Sequence, residues 1–498
     1  MERYNVITII AIILVLLLSN TSYAIEEKSI LILTDELDLR IIENITNNID
    51  FGTGFMNLKT RKPAGEVSFH FSIAAGRKVG VKPEHYKGLY KDQNGTIIIS
   101  GFQDMMDDLT NRIKNVEISL LGERLKKEGV SYIGDNSAAI IAADNNGNIK
   151  SGEIEIQYSQ DWLNDKTDFY LSQSNILVLS YDIDKNNQRV RLLKDYIEKY
   201  KDNNIFIIPR SVPEDMKYII NNNLAPIIYI NGSEDGMIKS SSTKREGFIT
   251  IEDIYGELIS IYDEKDTSII GNEIDTIERE DNLNDLKNLF KKTINLIWIT
   301  YIFHGLVYLV QVYSAYYIYK NRKDKFENIN LLNSFIIINI FIGLLMGASS
   351  LHINIVLYLF INLLTSYIIT IFMFDKEINT IEVIATLTYG LIIFGIFFYP
   401  ENIYNSYIGF NNLFYGARYY GFNNGIMGVL LVCSIISCYF INNFLKNEFL
   451  KNVVSLIYIL INIIVLSTNY GANTGGFITA LILFLIIIYI NLLGKNWS

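Results

Sequence analysis

Residues 294–319 read INLIWITYIFHGLVYLVQVYSAYYIY, a run of 26 positions without a Lys, Arg, Asp or Glu. A helix needs about 20 apolar residues to cross a bilayer, so this run is long enough to span one. Six further apolar stretches follow, at residues 330–349, 352–374, 378–399, 425–445, 452–468 and 476–494. The sequence therefore predicts a seven-helix transmembrane domain over residues 293–498.

The 498-residue chain changes character where that run begins. Residues 25–292 hold 33 basic and 45 acidic residues, whereas residues 293–498 hold 9 basic and 7 acidic ones. The first segment is therefore predicted to be a water-soluble domain. Its acidic balance argues against nucleic-acid binding, because phosphate backbones are bound by basic surfaces. Cys433 and Cys438 are the two cysteines and lie in an apolar run, which excludes a disulfide scaffold.

The N-terminus has the pattern of a secretory signal peptide over residues 1–24. Arg3 lies in a short polar start, an apolar stretch runs from Val6 to Leu18, and Ser22-Tyr23-Ala24 supplies small residues for cleavage. An uncleaved N-terminal anchor is the alternative, since the apolar run is borderline in length. Both interpretations place the next residue outside the cytoplasm.

The charges of the connecting loops predict the same orientation. With the soluble domain outside, the inner segments are 320–329, 375–377, 446–451 and the tail from Lys495. Their eight basic residues are Lys320, Arg322, Lys323, Lys325, Lys376, Lys446, Lys451 and Lys495. The outer loops contain only Arg418. Because basic residues concentrate on the cytoplasmic side, the sequence predicts a multi-pass cell-membrane protein with an extracytoplasmic N-terminal domain and a cytoplasmic C-terminus.

Short apolar runs alternate with amphipathic stretches in the soluble part, residues 25–262. Strands are predicted at Ser29–Thr34, Thr96–Ser100, Ala138–Ala143, Asn175–Tyr181, Asn204–Pro209 and Pro226–Ile230. Helices are predicted at Leu39–Asn48, Phe102–Glu128, Asn186–Tyr200, Pro213–Asn222 and Ile251–Tyr262. Unbroken apolar strands favour a doubly wound α/β sheet that is covered on both faces. Residues 263–292 are charged and weakly patterned, and we interpret them as a linker.

Seven short motifs carry a resemblance to a known group of proteins. They are LLGERLKKEG (120–129), DNSAAIIAAD (135–144), LAPIIYI (224–230), SSSTKREG (240–247), TIEDI (250–254), RYYGFNN (418–424) and GANTGG (471–476). Their order resembles that of the alkaline-phosphatase-like superfamily. More narrowly, the chain is similar to a divergent bacterial branch in which such an extracytoplasmic domain is fused to a multi-span membrane domain. The resemblance covers most of residues 29–476.

The resemblance implies a set of catalytic positions. Phosphatases of that superfamily hold a Ser or Thr nucleophile between two divalent metal ions, bound by Asp and His residues near the strand ends. Ser72 matches the nucleophile, and Asp35 and Asp182 match metal ligands. The family's histidines are missing, because His70 and His85 do not follow a later strand. The resemblance thus implies a domain that keeps the fold without the phosphatase chemistry and without a cofactor.

Two predicted outer loops, Tyr415–Asn424 and Asn469–Gly476, are rich in Tyr, Phe, Asn and Gly. Aromatic rings with amide neighbours can hold a sugar or a lipid headgroup at the membrane interface. The candidate binding residues are Arg418, Tyr420, Asn423, Asn424 and Asn473, together with the adjacent cations Lys244 and Arg245, which suit phosphate. The alternatives are an aromatic belt that anchors helix ends, and solvated surface charges.

The sequence therefore favours a cell-envelope membrane protein that binds or handles an extracytoplasmic lipid-linked or phosphate-bearing substrate. The expected partners are the lipid bilayer, this anionic substrate and other envelope proteins, and not nucleic acid. One alternative is an active phosphoester hydrolase or transferase that uses a divalent metal ion. The other is a seven-span receptor. Its inner loops of at most about ten residues are too short to form a cytoplasmic signalling domain, so it would need a separate signalling partner.

Overall fold

The computed structural model describes residues 27–112, 118–218, 221–262, 269–320 and 327–494, with the backbone alone for 111–112, 327–328 and 487–494. The predicted signal peptide, residues 1–24, lies outside the described residues. The chain forms two compact units. The α/β unit comprises residues up to 219, 225–242 and 249–280, and the helical unit comprises 220–224, 243–248 and the residues from 281 onward.

Thirteen strands occur in the described part of the chain. They are β1 Ser29–Thr34, β2 Gly52–Asn57, β3 Leu89–Lys91, β4 Ile97–Ile99, β5 Val130–Ile133, β6 Asn148–Ile149, β7 Gly152–Glu153, β8 Ile176–Tyr181, β9 Asn204–Pro209, β10 Leu224–Ile230, β11 Gly236–Ser240, β12 Phe248–Ile249 and β13 Ile274–Glu278. Ten form one sheet in the order β13-β11-β2-β10-β9-β1-β8-β5-β7, with β12 paired to β2. The other three form a small sheet in the order β3-β4-β6.

The centre of the large sheet is parallel. Strand β1 pairs in parallel with β8 on one side and with β9 on the other, and β5 pairs in parallel with β8. This pairing confirms what the apolar runs at β8 and β9 predict, because strands buried on both faces are typical of parallel sheets. The equally apolar run at β10 is the exception, since β10 pairs antiparallel with β9. The sheet is therefore mixed.

Helices cover both faces of this sheet. The helices of the α/β unit are α1 Leu39–Ile45, α2 Glu66–Ala74, α3 Phe102–Arg112, α4 Leu121–Arg124, α5 Ala139–Ala142, α6 Gln160–Leu171, α7 Asn187–Tyr200 and α8 Ile251–Ile261. Helix α7 packs against α1 and α6, whereas α2 packs against α5 and α8. Leu31 and Leu33 of β1 join the core on the α2 side. The alternate residues Ile30 and Ile32 are also fully buried, so they fill the opposite face.

The predicted strand at Ala138–Ala143 is wrong, because these residues form the buried helix α5. The side chain of Asn136 accepts a hydrogen bond from Ala138 N at 3.0 Å, which starts a turn. Alanine also favours a helix over a strand. A short apolar run fits either structure, so the turn at Asn136 decides the outcome.

Two predicted helices are shorter than their patterns indicate. The stretch 102–128 contains α3 and the single turn α4, with residues 113–117 outside the described part. Leu120 N donates to the Asn145 side chain at 3.0 Å, which fixes the chain to another loop before α4. In the described residues of the stretch 213–222, which leave out 219–220, the helical structure is a 3-10 turn, Glu214–Met216. Asn221 Oδ1 accepts a hydrogen bond from Leu224 N at 2.9 Å. This bond forms a turn immediately before β10.

One buried carboxylate fixes both sides of the segment that connects β11 to α8. Asp253 is fully buried and accepts hydrogen bonds from the hydroxyls of Ser240 at 2.7 Å and Ser242 at 2.5 Å. It also accepts from Thr250 N at 2.7 Å and Asn272 N at 2.9 Å. The carboxylate therefore holds the chain immediately before and after residues 243–248.

Replacing Asp253 by Ala should destabilise the α/β unit by about 3 kcal/mol, because buried donors that lose their acceptor carry a desolvation penalty. Urea unfolding of the purified full chain, followed by circular dichroism, measures this loss. Asp195→Ala removes an exposed carboxylate of α7 and serves as the control. Equal stability of the two variants would contradict the role of Asp253.

The helical unit contains α9 Asn282–Lys320, α10 Glu327–Met346, α11 Ile355–Asp375, α12 Thr380–Phe398, α13 Glu401–Tyr404, α14 Asn424–Phe444, α15 Glu448–Leu466 and α16 Thr474–Gly494. In the described part of the chain, six of these helices are long and apolar enough to cross a membrane, namely α9, α10, α11, α12, α14 and α15. The predicted multi-pass membrane domain is thereby supported.

The predicted linker needs revision, whereas the seventh predicted span stays a prediction. That span falls on α16, of which the side chains are described only from Thr474 to Ile486, so the described residues supply six candidate spans. Within the predicted linker 263–292, residues 274–278 form β13 in the sheet and α9 begins at Asn282. The described part of this segment is therefore regular structure, because its charged side chains lie on a solvated sheet edge and on the first turns of a long helix.

A buried polar network joins two spans to the loop that follows α12. Tyr407 OH donates to Asn339 Oδ1 at 2.8 Å, and Asn339 Nδ2 donates to Asn362 Oδ1 at 2.5 Å and to Ser366 Oγ at 3.1 Å. Asn339 lies on α10, whereas Asn362 and Ser366 lie on α11. Hydrogen bonds of this kind hold membrane helices together. The network therefore fixes the loop to the interior of these two spans.

Candidate functional site

The first group of candidate residues lies where three parallel strands end. Asp35 follows β1, Asp182 follows β8 and Arg210 follows β9, and these strands are neighbours in the sheet. Their carboxyl ends share one edge, which is where α/β sheets bind ligands. The Arg210 guanidinium forms an ion pair with Asp182 and another with Glu66, the latter at 2.5 Å. The parallel strands therefore bring Asp182 and Arg210 together at this edge.

The Asp35 carboxylate is occupied by the backbone. Its two oxygens accept hydrogen bonds from Ile183 N at 2.7 Å and from Asp184 N at 2.9 Å. These bonds fix the loop that follows β8. Among the residues that the structure describes, no three His, Cys, Asp or Glu side chains are grouped so that they could hold a metal ion. The geometry therefore gives Asp35 a structural role, and Asp182 has Arg210 as its counter-ion.

Burial sets the protonation of the groups around Arg210. It raises the pKa of Asp182, against the opposing effect of the Arg210 charge. His70 is fully buried in α2, and burial, followed by the Arg210 charge, holds its pKa well below the usual range. Its Nδ1 lies 2.9 Å from Ser137 Oγ. A neutral imidazole is therefore packed beside one fixed positive charge.

Ser72 lies on α2 and is fully buried. Its hydroxyl donates to Ser68 O at 2.6 Å and accepts from Val79 N at 3.1 Å. A hydroxyl that is shielded from solvent, and that both donates and accepts a hydrogen bond, stabilises the packing around it. The geometry gives no support to Ser72 as an accessible nucleophile, although the sequence motif matches that position.

Replacing Arg210 by Met should destabilise the chain by about 2 kcal/mol at neutral pH, because it leaves Asp182 and Glu66 charged without their cation. Loss of the cation raises the already elevated pKa of Asp182 further. The destabilisation should therefore be largest near pH 7.5 and shrink as the pH falls toward 4 and Asp182 becomes protonated.

Urea unfolding of the full chain at several pH values measures this dependence. Arg191→Met, which removes an exposed arginine of α7, is the matched control. A loss of stability that increases toward acidic pH would contradict the assigned charge states.

The second group of candidates lies in the helical unit, where the loops after α12 and α15 are joined. Phe422 N donates to Gly471 O at 2.6 Å, and Asn473 Nδ2 donates to Phe422 O at 2.8 Å. Gly421 has a left-handed φ of +83°, and a Cβ there would meet Gly471 O at 2.5 Å. Glycine is therefore required at this crossing.

Several predicted binding residues form this scaffold. The Arg418 guanidinium donates to Phe422 O, and Asn473 Oδ1 accepts from Gly476 N at 2.7 Å. Asn423 caps α14 by accepting from Ile426 N at 3.0 Å, and its amide donates to Phe410 O at 3.1 Å. Asn424 is exposed at the first position of α14. Arg418, Asn423 and Asn473 therefore hold backbone groups, which is a different role from the predicted ligand contact.

Lys244 and Arg245 belong to the helical unit, through the segment 243–248. The Lys244 ammonium lies 4.5 Å from the centre of the Tyr420 ring and donates to Asn469 O at 3.2 Å. The sequence prediction grouped Lys244, Arg245 and Tyr420 as binding candidates, and the structure brings Lys244 and Tyr420 into contact. The two loops and this segment form what we call the outer loop cluster, residues 243–248, 401–424 and 467–476.

Arg245 is the most constrained cation of the outer loop cluster, with 4% of its side chain exposed. Its Nη2 donates to Asn405 Oδ1 at 3.0 Å and lies 3.6 Å from Glu401 Oε2. Asn405 Nδ2 in turn donates to Glu401 at 2.8 Å. Arg245 Nε and Nη1 are buried and have no hydrogen-bond partner among the described residues. Two charged donors are therefore left without acceptors.

Charged groups of both signs lie near Arg245. Lys292 of α9 interacts electrostatically with Arg245, Glu401 and Glu246. His352, in the connection between α10 and α11, is fully buried. Burial, followed by the positive charge of Lys292, lowers the pKa of His352 to about 4. At neutral pH the imidazole is therefore uncharged and adds no positive charge beside Lys292.

Comparison of the chain with protein-family models, with curated proteins and with solved structures finds no match. The class of protein rests on the fold itself, which is a mixed α/β unit followed by a helical unit with six candidate membrane spans. The resemblance to the alkaline-phosphatase-like superfamily stays a prediction.

Sequence reasoning missed four residues of this site: Lys292, His352, Glu401 and Asn405. They are single polar residues at helix ends or in loops, and each is common at such positions. One signal was present, since Glu401 and Asn405 are four residues apart and lie in an outer loop of unusual length. Nothing in that spacing indicates Arg245 as their partner.

Proposed function

We propose that the chain is a cell-envelope membrane protein that binds a phosphate-bearing substrate, either lipid-linked or free, at the outer loop cluster. Arg245 is the principal contact, with Lys244 and Tyr420 at the exposed side. The α/β unit acts in this proposal as a domain without phosphoester chemistry. This part of the proposal is supported by Arg210, a fixed cation that pairs with Asp182. The phosphatases that the sequence resembles hold metal ions at the corresponding position.

The observation that carries the proposal is the pair of unpartnered donors on Arg245. Buried N–H groups are nearly always hydrogen-bonded, and a charged donor without an acceptor is strongly unfavourable. A phosphate oxygen supplies the missing acceptor, because the planar guanidinium matches its geometry and its charge.

The aromatic content of the cluster favours a substrate at the membrane interface. Tyr404 and Tyr420 lie in the loop after α12, and the cluster is formed at the ends of membrane-spanning helices. Tyr side chains combine an apolar ring with a polar hydroxyl and suit the headgroup region.

Replacing Arg245 by Gln should weaken binding of a polyprenyl phosphate by roughly 10- to 100-fold, because a charged hydrogen bond to phosphate is lost. The measurement uses the full chain in nanodiscs with a fluorescent polyprenyl phosphate. A parallel titration with inorganic phosphate distinguishes a lipid headgroup from a free anion.

Two further variants separate binding from folding. Arg245→Lys keeps the charge and should retain part of the affinity, and Lys376→Gln removes an exposed cation of the connection between α11 and α12. Wild-type protein that binds neither probe, or an Arg245→Gln variant that binds both normally, would contradict the proposal.

We also propose that the cluster faces the cell exterior, as the loop charges predict. In a chain with Cys433 and Cys438 replaced by Ser, Tyr415→Cys should react with a membrane-impermeant maleimide on intact cells, because Tyr415 is 58% exposed in the loop after α12. Lys376→Cys should react only after the membrane is permeabilised. The opposite pattern of labelling would reverse the orientation.

A further inference from the structure

A second basic site lies in the α/β unit and is independent of the proposed function. A cavity of about 240 Å³ is lined by Arg61, Arg77, Lys78, Glu252 and Ile270. Three of these side chains are cationic and one is anionic, so the lining carries a net positive charge. The volume suits a small ion or headgroup more than a drug-sized ligand.

Backbone contacts fix the position of the chain segments that carry the cationic residues of this cavity. Arg61 N donates to Val79 O at 3.1 Å, which ties the loop after β2 to the segment that holds Arg77 and Lys78. Gly76 has a left-handed φ of +58°, and a Cβ there would lie 2.8 Å from the Tyr255 ring. The close packing of Gly76 on α8 thus sets the position of Arg77. Burial lowers the pKa of Lys78, and the negative charge of Glu252 opposes that effect.

Glu252 supplies an acceptor in this basic lining. It is the second residue of α8, next to the anchored Asp253, and its Oε2 is buried without a hydrogen-bond partner among the described residues. Asn272 N donates to Asp253 at 2.9 Å, which holds the segment containing Ile270 against the start of α8. A ligand that fills the cavity must therefore offer negative charge to three cations and one hydrogen-bond donor to Glu252.

We infer that this cavity binds a phosphate group with one protonated oxygen, whose hydroxyl donates to Glu252, and that it rejects sulfate. Inorganic phosphate retains such a proton near neutral pH as HPO4²⁻, whereas a phosphate monoester, whose second pKa is about 6, has largely lost its last proton there. Sulfate has the same shape but carries no proton at that pH. Sulfate would leave Glu252 facing an oxygen lone pair, which is repulsive.

Isothermal titration of the full chain in detergent tests the inference with inorganic phosphate, sulfate and glycerol 3-phosphate. The wild type should bind phosphate at least about tenfold more tightly than sulfate, and Arg77→Gln should weaken phosphate binding by about tenfold or more. Glu252→Gln should raise the affinity for sulfate and reduce the discrimination, because an amide can donate. At pH 7.5 glycerol 3-phosphate should bind more weakly than inorganic phosphate, because its phosphate group has largely lost the proton that Glu252 requires.

The controls separate this site from the outer loop cluster. Arg191→Gln should change nothing, and Arg245→Gln should leave the preference for phosphate over sulfate intact. The inference is overturned if the wild type binds no phosphate, if Arg77→Gln binds it normally, or if Glu252→Gln keeps the full discrimination. A normal result for Arg77→Gln leaves the proposed role of Arg245 untouched.

Discussion

The constraint on which the helical unit depends is the burial of the Arg245 guanidinium. An arginine cannot lose its charge by deprotonation in a protein, so its surroundings must supply acceptors. Asn405 and Glu401 supply them for Nη2 alone. The short helix α13, the scaffold of Arg418 and Asn473, and the segment 243–248 together fix these groups in place. The loops therefore surround a charged group for which they provide only some of the hydrogen-bond acceptors.

Arg210 provides an internal comparison, because it also lies beside carboxylates. Its guanidinium pairs with both Asp182 and Glu66, at the edge of the sheet where the strands end. Arg210 thereby pairs with two acidic residues, whereas Arg245 has hydrogen-bond acceptors at Nη2 alone among the described residues. In the function we propose, this difference leaves Arg245 able to bind an anion.

The sequence predicts the α/β character of the first unit through its apolar runs. It fails at Ala138–Ala143, where an asparagine turn decides between helix and strand. The predicted ligand contacts of Arg418 and Asn473 stay predictions, although both side chains bind backbone groups in the structure. Arginine and asparagine side chains can form hydrogen bonds with a ligand or with backbone groups in a loop. The sequence alone does not show which of these two partners lies within reach. The partners of Arg245 could not be predicted, because they are distant in the chain.

The aromatic neighbours of Arg245 explain how a partly satisfied charge is tolerated. The guanidinium carbon lies 5.5 Å from the centre of the Phe248 ring and 5.7 Å from that of Tyr404. Ring faces stabilise a cation through their quadrupole and accept no conventional hydrogen bond from its edge. The positive charge is therefore stabilised while Nε and Nη1 stay free of acceptors. Additional carboxylates would have stabilised Arg245 more strongly, but they would have taken the donors that an anion needs.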